Sequence, residues 1–385
     1  MDPFSFSVPQ NICFGWGMLG KLPDMARELG AKKAFIVSGP HLDKSGLVAR
    51  CSESLAAAGI ESGKFTETEA NPSTETVERA TEEFKKSGAD VIVAFGGGSP
   101  IDVAKAVALL GKYGGKITEY EGVGKVPGPV VPMIAIPITA GTGSEVTSFS
   151  VITDHSRNYK LTVGSAYLLP QKVLLDPELI TSVPKNTAAY CGADAMVHAL
   201  ESYISLASSP FSDMMALKAL ELIGSNLKAY VADRRNREAA EAMLQGSLFA
   251  GIAFSHARLG NVHAMSHPVS AYFDVPHGLA NAIILPTVVD FNALADHGKY
   301  YEIYRRISPG PVSKDAFRTE MLSAEIRALN YSLDIPSTLW EVGVDEERIP
   351  EMAADAMKSG NIAVNPRSTT IDDIEELYRI SSRSF

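Results

Sequence analysis

The residues in this chain best suited to chemistry by type and spacing are one aspartate and three histidines: Asp194, His198, His263 and His277. Asp194 and His198 stand four apart in GADAMVHALESY, a stretch that reads as helix. Four residues is about one helical turn, so both side chains leave the same face within reach of a single ion. His263 lies in GNVHAMSHPV, and His277 in VPHG fourteen residues later. A carboxylate with imidazoles suits a divalent first-row metal. The set points to a metal-dependent enzyme.

Two glycine-rich segments supply a second kind of chemistry. The apolar run Val91–Phe95 (VIVAF) leads into Gly96-Gly97-Gly98-Ser99-Pro100 and then a helical pattern. Glycines after a strand let a backbone approach a ligand closely, and Pro100 suits the first turn of a helix. Free N–H groups and the positive end of the helix dipole favour a diphosphate there. The run matches neither G-x-G-x-x-G nor the P-loop pattern, so by itself it is equally a tight strand-to-helix turn. A second segment, Ile138-Thr139-Ala140-Gly141-Thr142-Gly143-Ser144-Glu145, also follows a strand. Two such loops at one edge of a parallel sheet are what a dinucleotide site needs.

These motifs need a frame. Ala34–Ser38 reads as a buried strand, Gly46–Ala58 as a helix, and Lys64–Phe65 as the start of a short strand. Thr74–Ser87 is an amphipathic helix, Val91–Phe95 a strand, and 100–110 a helix, with Met133–Pro137 closing the series. Alternating strands and helices with continuously apolar strands imply a parallel sheet covered on both faces. From about Asn186 the pattern changes to long helices, clearest at 186–206, 211–231, 236–255 and 314–330, after the turn-rich DPELITSVP at 176–184. The expected architecture is an α/β domain over residues 1–182 and an all-α domain over 183–385, with a cleft between them as the ligand site.

Composition narrows the function class. The chain has 385 residues, 45% hydrophobic, and carries 35 basic against 45 acidic residues, a net charge of −10. With no dense Lys/Arg run, that balance argues against nucleic acid or an anionic membrane as partner. Cys13, Cys51 and Cys191 are too few and too scattered for a disulfide framework or a C-x-x-C metal site. MDPFSFSVPQ lacks a basic segment followed by an apolar run, and no stretch has the ~18 apolar residues of a membrane span. A cytoplasmic protein is expected.

Gly96–Ser99 with Asp102, TAGTGSE at 139–145, DAMVHALESY at 194–203 and GNVHAMSHPVSAYFDVPHG at 260–278 resemble, in order and spacing, the iron-containing (group III) alcohol dehydrogenases. The resemblance runs along essentially the whole chain, including Asn71-Pro72 and Asn365-Pro366-Arg367. It implies an N-terminal dinucleotide-binding domain and a helical metal-binding domain, together dehydroquinate synthase-like, and NAD(P)-linked oxidation of a small alcohol or reduction of an aldehyde. It further implies that Asp194, His198, His263 and His277 hold Fe2+ or Zn2+, and that His267 stands beside the nicotinamide and relays the hydroxyl proton. Gly97, Gly98 and Ser99 match the pyrophosphate loop. Thr139, Thr142, Asn71, Phe149, Lys160 and Leu179 match cofactor contacts, and Gly39, Gly96 and Asp102 complete that set. Phe4–Phe14 resembles the strand through which family members pair as homodimers, while Phe254 and Val151 are expected to shape the substrate pocket. Glycerol dehydrogenases and dehydroquinate synthases share the plan, but the four-ligand set and the VPHG ending favour the iron type. A non-catalytic relative would show a broken glycine loop or missing ligands, and neither is seen.

Three positions depart from the family pattern. After the first strand, Val37-Ser38-Gly39-Pro40 carries no carboxylate where many NAD-preferring members have one. Without its repulsion a 2′-phosphate is tolerated, and Ser38 is a candidate donor to it, so NADP stands beside NAD as cofactor. Cys191 is a small packing residue or a thiol open to oxidation. His256, seven residues before His263, is expected two turns away on the same face, at the substrate entrance or in solvent.

Overall fold

The computed structural model describes residues 3–310 and 312–383. The chain divides into two compact units. One comprises Val8–Thr139 and Gly143–Ser182; the other holds everything from Val183 onward, with Ala140–Thr142 and the segment ending at Ser7. Those two short stretches, expected in the N-terminal domain, thus group with the helices.

In the first unit the chain runs β1 (Asn11–Phe14), α1 (Leu22–Glu28), β2 (Lys33–Val37), α2 (Pro40–Lys44), α3 (Leu47–Ala57) and β3 (Glu61–Phe65). It continues through α4 (Thr74–Ser87), β4 (Val91–Gly96), α5 (Gly98–Tyr113), β5 (Gly122–Val123) and β6 (Met133–Pro137), then β7 (Phe149–Asp154), β8 (Tyr159–Gly164) and β9 (Lys172–Leu175). Six strands form one parallel sheet in the order β1-β9-β6-β4-β2-β3; β7 and β8 make an antiparallel hairpin joined by β5. Side chains alternate across the large sheet. Ala34 and Ile36 of β2, with Val91, Val93 and Phe95 of β4, face α1 and α3, whereas Phe35, Val37, Ile92 and Ala94 face α4 and α5. Both faces are therefore dry, which is why these strands read as unbroken apolar runs.

Chain order sets where a ligand can sit. From β2 the chain goes outward to β3, then returns past β2 to β4 and on to β6. The loops leaving β2 and β4 thus diverge, the crevice used by open α/β sheets. Gly39 and Gly97, the N-caps of α2 and α5, stand at those two strand ends.

Several expectations are corrected. Lys64–Phe65 ends β3 instead of beginning a strand; in ESGKF only Phe65 is buried, so this edge strand has little apolar signal. Met133–Pro137 does not close the sheet, because β9, after the β7–β8 hairpin, pairs with β6 and the N-terminal β1 pairs with β9. Of Phe4–Phe14 only Asn11–Phe14 is strand, parallel to β9 at the sheet edge, while Phe6 stacks on Phe211 and His256 in the helical unit.

The second unit is helical: α6 (Lys185–Ile204), α7 (Pro210–Ala232), α8 (Arg237–Ala257), α9 (Asn261–Phe273), α10 (His277–Asn292), α11 (Lys299–Ile307), α12 (Glu320–Ser332), α13 (Ile349–Ala356) and α14 (Ile371–Ser382). The helix expected at 314–330 starts later, at Glu320. Helices α9 and α10 lie outside the four long helices read as clearest, and each carries an internal proline, Pro268 or Pro286. Among the described residues, His277–Ala295 is long and apolar enough to cross a membrane, but 67% of its most apolar stretch is buried in the protein. It is a core helix. Central α6 is enclosed along most of its length, which lets it present polar side chains to a dry interior.

Local capping chemistry explains the helix that sequence delimits best. Ser73 accepts a hydrogen bond from Thr76 N–H at 3.1 Å, and Gly88 closes α4 at φ +67°. Ser73→Ala should lower the unfolding free energy by about 1 kcal/mol. Denaturant titration checks this, and Ser73→Thr, which keeps the hydroxyl, should recover most of the loss.

Candidate active site

Helix α6 places Asp194, His198 and Glu201 at i, i+4 and i+7, one stripe of its surface. Helix α9 brings His263 in its first turn and His267 one turn later. Helix α10 begins on His277, with Asn281 one turn on. The three stripes meet. Asp194, His263 and His277 each offer a ligand atom, all within 4.8 Å of one another. From Asp194 Oδ1 the Nε2 atoms of His263, His198 and His277 stand at 3.6, 3.8 and 3.9 Å. His198 lies face to face with His263, ring centroids 4.6 Å apart, and its other side is covered by Phe254 at 4.4 Å.

Each imidazole must turn the correct nitrogen inward. His198 Nδ1 lies 3.3 Å from the Gly141 carbonyl, which only accepts, so Nδ1 carries the proton and Nε2 keeps its lone pair. His263 Nδ1 is 2.6 Å from Glu201 Oε2 and is fixed the same way. Glu201 also accepts from the backbone N–H groups of Val262 at 2.7 Å and His263 at 3.4 Å, the otherwise unpaired donors at the start of α9. Gly260 makes room, since a Cβ there would stand 2.9 Å from Glu201 Oε1. Gly278 does the same for α10: a Cβ would lie 2.3 Å from the Tyr190 carbonyl oxygen and 3.1 Å from Asp194 Cβ.

Charge follows from burial and neighbours. Burial works against an ionised Asp194, yet His198, with His263 and His277, holds its carboxyl below the usual range. Burial pushes His198 down to about 4. For His263 burial acts in the same sense, but the Asp194 and Glu201 carboxylates outweigh it and lift the imidazole to about 9.

The donor set fits a divalent cation. The Asn281 amide nitrogen lies 2.6 Å from Asp194 Oδ1 and 3.1 Å from both His263 Nε2 and His277 Nε2. One amide nitrogen thus stands against three atoms that are metal ligands once deprotonated, and its two hydrogens cannot serve all three. One carboxylate oxygen and imidazole Nε2 atoms converging on one buried point are the ligands a first-row metal takes. His267 stays outside this trio. Its ring is 5.2 Å from that of His277 and 6.3 Å from that of His263, and it is only partly buried.

The residues matched to cofactor contacts lie mostly around the carboxyl ends of the parallel strands. Gly96 pairs with Pro137 across β4 and β6, and Gly97 and Thr139 approach so closely that a Cβ on Gly97 would be 3.3 Å from Thr139 Oγ1. Gly96 must be glycine, because a Cβ would meet Pro100 at 2.5 Å. Helix α5 opens at Gly98 and Ser99 with no side-chain cap, leaving its first N–H groups available. Asn71, at φ +52°, accepts from Lys160 Nζ at 2.8 Å. Gly39 packs under the Thr68 carbonyl. Thr142 falls with the helical unit.

Three expectations need revision. Leu179 has its side chain in the apolar core, so any cofactor contact there falls to its backbone. Ser38 is fully buried and its hydroxyl does not reach a ligand at the surface. Helix α8 ends at Ala257, so His256 shares no helix face with His263; it accepts from Ser7 N–H at 3.2 Å and stacks on Phe6. The Asp102 carboxylate accepts from Ser144 Oγ at 2.5 Å and Val151 N–H at 3.1 Å. Phe149 begins β7, and its carbonyl accepts from Lys105 Nζ at 2.6 Å. Cys191 packs on Gly141, where a Cβ would come within 2.6 Å of its own.

A profile for iron-containing alcohol dehydrogenases matches residues 9–177, and one for the C-terminal part of the Fe-containing alcohol dehydrogenase family matches 188–382. The NAD-dependent methanol dehydrogenase of Bacillus methanolicus is 34% identical over 97% of this chain and 99% of its own. The crystal structure of a 1,3-propanediol oxidoreductase superposes with a TM-score of 0.94 at 36% identity, covering 99% of this chain and 100% of that one. Sulfoacetaldehyde reductase from Bifidobacterium kashiwanohense, solved with NAD+, gives 0.90 at 30% identity over 100% of both chains.

Sequence reading missed Glu201 and Asn281, although each repeats the helical spacing of a residue it did find. Outer partners of this kind are worth roughly 10- to 100-fold in metal affinity. Glu201→Ala should weaken Fe2+ or Zn2+ binding by about that factor, and Glu201→Gln by less. Metal titration of chelator-treated protein reads the difference, and unchanged affinity in Glu201→Ala would remove Glu201 from this role.

Proposed function

The chain belongs to the iron-containing alcohol dehydrogenase family and is a metal-dependent, nicotinamide-linked alcohol dehydrogenase or aldehyde reductase; from that premise we propose the division of labour among its residues. Asp194, His198, His263 and His277 hold the ion, iron by family and zinc by equal donor chemistry. The observation that carries this is the convergence of carboxylate and imidazole donors on one buried point. When bound, the ion supplies Lewis acidity at the substrate oxygen and the nicotinamide carries the hydride.

The chain's own groups do the rest. One carboxylate and neutral imidazoles only partly offset a dipositive ion, so the pocket stays positive where an alcohol gives up its proton. Glu201 and the Gly141 carbonyl keep His263 and His198 in the ligating tautomer. His267, partly exposed and beside the trio, takes the hydroxyl proton on a ring nitrogen and passes it to solvent. The N–H groups at Gly97–Ser99 receive the pyrophosphate, with Asn71, Lys160 and Thr139 of the same unit as further contacts. Phe254, stacked on His198, supplies an apolar surface beside the ligand set. The three relatives above carry methanol, 1,3-propanediol and sulfoacetaldehyde in their names, which supports a short alcohol or aldehyde as substrate. We further infer a cytoplasmic homodimer formed through the open edge of β1.

For the dinucleotide, we infer that NADP is accepted as well as NAD. No carboxylate stands at 38–40, and Asp43, the nearest on α2, is engaged by Lys64 at 2.7 Å and Thr66 at 3.1 Å. With NADPH as donor, aldehyde reduction is the favoured direction.

His263→Ala and His277→Ala should lose bound metal by elemental analysis together with activity. His267→Ala should retain metal while kcat falls by about 10²-fold or more; loss of metal in that variant would make His267 a ligand. The kcat/KM for NADP should lie within about tenfold of that for NAD, and a larger NAD preference would refute dual use.

A further inference from the structure

Helix α9, which carries His263 in its first turn, has no cap of its own. Its N-cap is Gly260, so the first N–H groups of the helix must find acceptors elsewhere. Glu201 of α6 takes those of Val262 and His263. That of Asn261 goes to Asn365 Oδ1 at 3.3 Å, 104 residues further along the chain. A capping serine or aspartate at 260 would not fit, because a Cβ there would stand 2.9 Å from Glu201 Oε1 and 3.0 Å from Asn365 Oδ1. Two distant side chains fill the place of a local cap.

Asn365 opens the triplet Asn365-Pro366-Arg367, whose three residues divide the work of holding it. A proline keeps the residue before it out of helical backbone, and Asn365 is extended at φ −63°, ψ 139°. Its side chain is buried between the start of α9 and the end of α10. Oδ1 accepts from Asn292 Nδ2 at 3.1 Å as well as from Asn261, while Nδ2 donates to Asn292 Oδ1 at 2.8 Å and to the Arg367 carbonyl at 2.7 Å. Two acceptor sites and two hydrogens are all engaged. Arg367 fastens the segment to the same end of α10, its guanidinium carbon 3.8 Å from the Phe291 ring centroid and its Nη1 2.7 Å from the Phe291 carbonyl. Thr369 adds a further tie, accepting from Asn261 Nδ2 at 2.9 Å.

A local cap fixes a helix only against the residues just before it. A cap supplied by another segment fixes the helix against whatever that segment holds, here the end of α10. His263 and His277 belong to these two helices, and groups that orient a ligand tune metal affinity without touching the ion. We propose that Asn365 is a positioning residue for the metal centre: it caps α9 and clasps α10, so that the His263 and His277 imidazoles meet Asp194 in the geometry the ion requires. The proposal rests on the assignment of those three residues as metal ligands.

The test titrates chelator-treated wild type and variants with Zn2+ and with Co2+, whose visible absorption follows its coordination geometry, and records the thermal midpoint of each. In Asn365→Ala, Kd for both ions should rise about tenfold and the Co2+ absorption should change in position or intensity. Asn292→Ala, which leaves the cap on α9, should raise Kd by a smaller step. Ser209→Ala, which removes the cap of α7 in the same unit, is the control. Its midpoint should fall with Kd and spectrum unchanged; a matching rise in Kd there would trace the effect to stability alone and overturn the proposal. If Asn365→Ala does not fold, Asn292→Ala and Thr369→Val decide, and wild-type Kd in both would overturn it. A lowered midpoint in Asn365→Ala with wild-type Kd and Co2+ spectrum would reduce Asn365 to a structural role. Failure of the wild-type protein to bind either ion would instead overturn the ligand assignment beneath the proposal.

Discussion

The carboxylate of Glu201 is the contact on which the helical unit's chemistry depends. Nearly free of solvent, it would be costly to hold there unpaired. It is paired three ways, with two backbone N–H groups at the start of α9 and with the His263 imidazole. One side chain of α6 therefore sets where α9 begins, which way its first histidine turns, and which nitrogen that histidine offers. The same stripe of α6 carries Asp194 and His198, so three helices are referenced to one. Helix α10 completes the set by packing Gly278 on the Tyr190 backbone, which brings His277 and Asn281 over Asp194.

The sheet unit organises itself by a different rule. Its central strands β4 and β6 are buried along their whole length and carry no polar side chain, so their position is set by apolar alternation and chain order. Around the ligand-facing end of the sheet directional bonding takes over. There Asn71 meets Lys160, and α5 grips the segment after β6. Rigid apolar strands with polar chemistry confined to their carboxyl ends let one edge of the sheet bind a ligand without weakening its core.

How much of this was legible in the sequence depended on whether the signal was local. Asp194 and His198 belong to one helix, so spacing alone placed them together. Thr74–Ser87 has both its caps and its stripe within fourteen residues, and its limits could be read directly. Strands β1 and β9 pair across most of the unit, and no local pattern announces a partner so distant. Pro268 and Pro286 disguised α9 and α10, because a proline inside a helix removes a donor and usually signals an end. Glu201 and Asn281 were overlooked for a shared reason. A charged or amide residue in a helical pattern reads as solvent-facing until another element is known to cover it, and in each case that cover comes from a distant part of the chain. Ser38 erred the other way, read as a surface donor although its strand end is closed over.

Glycine at 278 has a consequence for tolerance. A metal centre accepts bond-length errors of about 0.2 Å, whereas a methyl group wedged between two helices separates them by several times that. Since Gly278 meets the backbone of α6 directly, no flexible side chain stands between the two helices to absorb a change. The registration of Asp194 with His277 is thus written in an atom that is not there. Precision at this centre is held as much by what the chain leaves out at a helix crossing as by the ligands themselves.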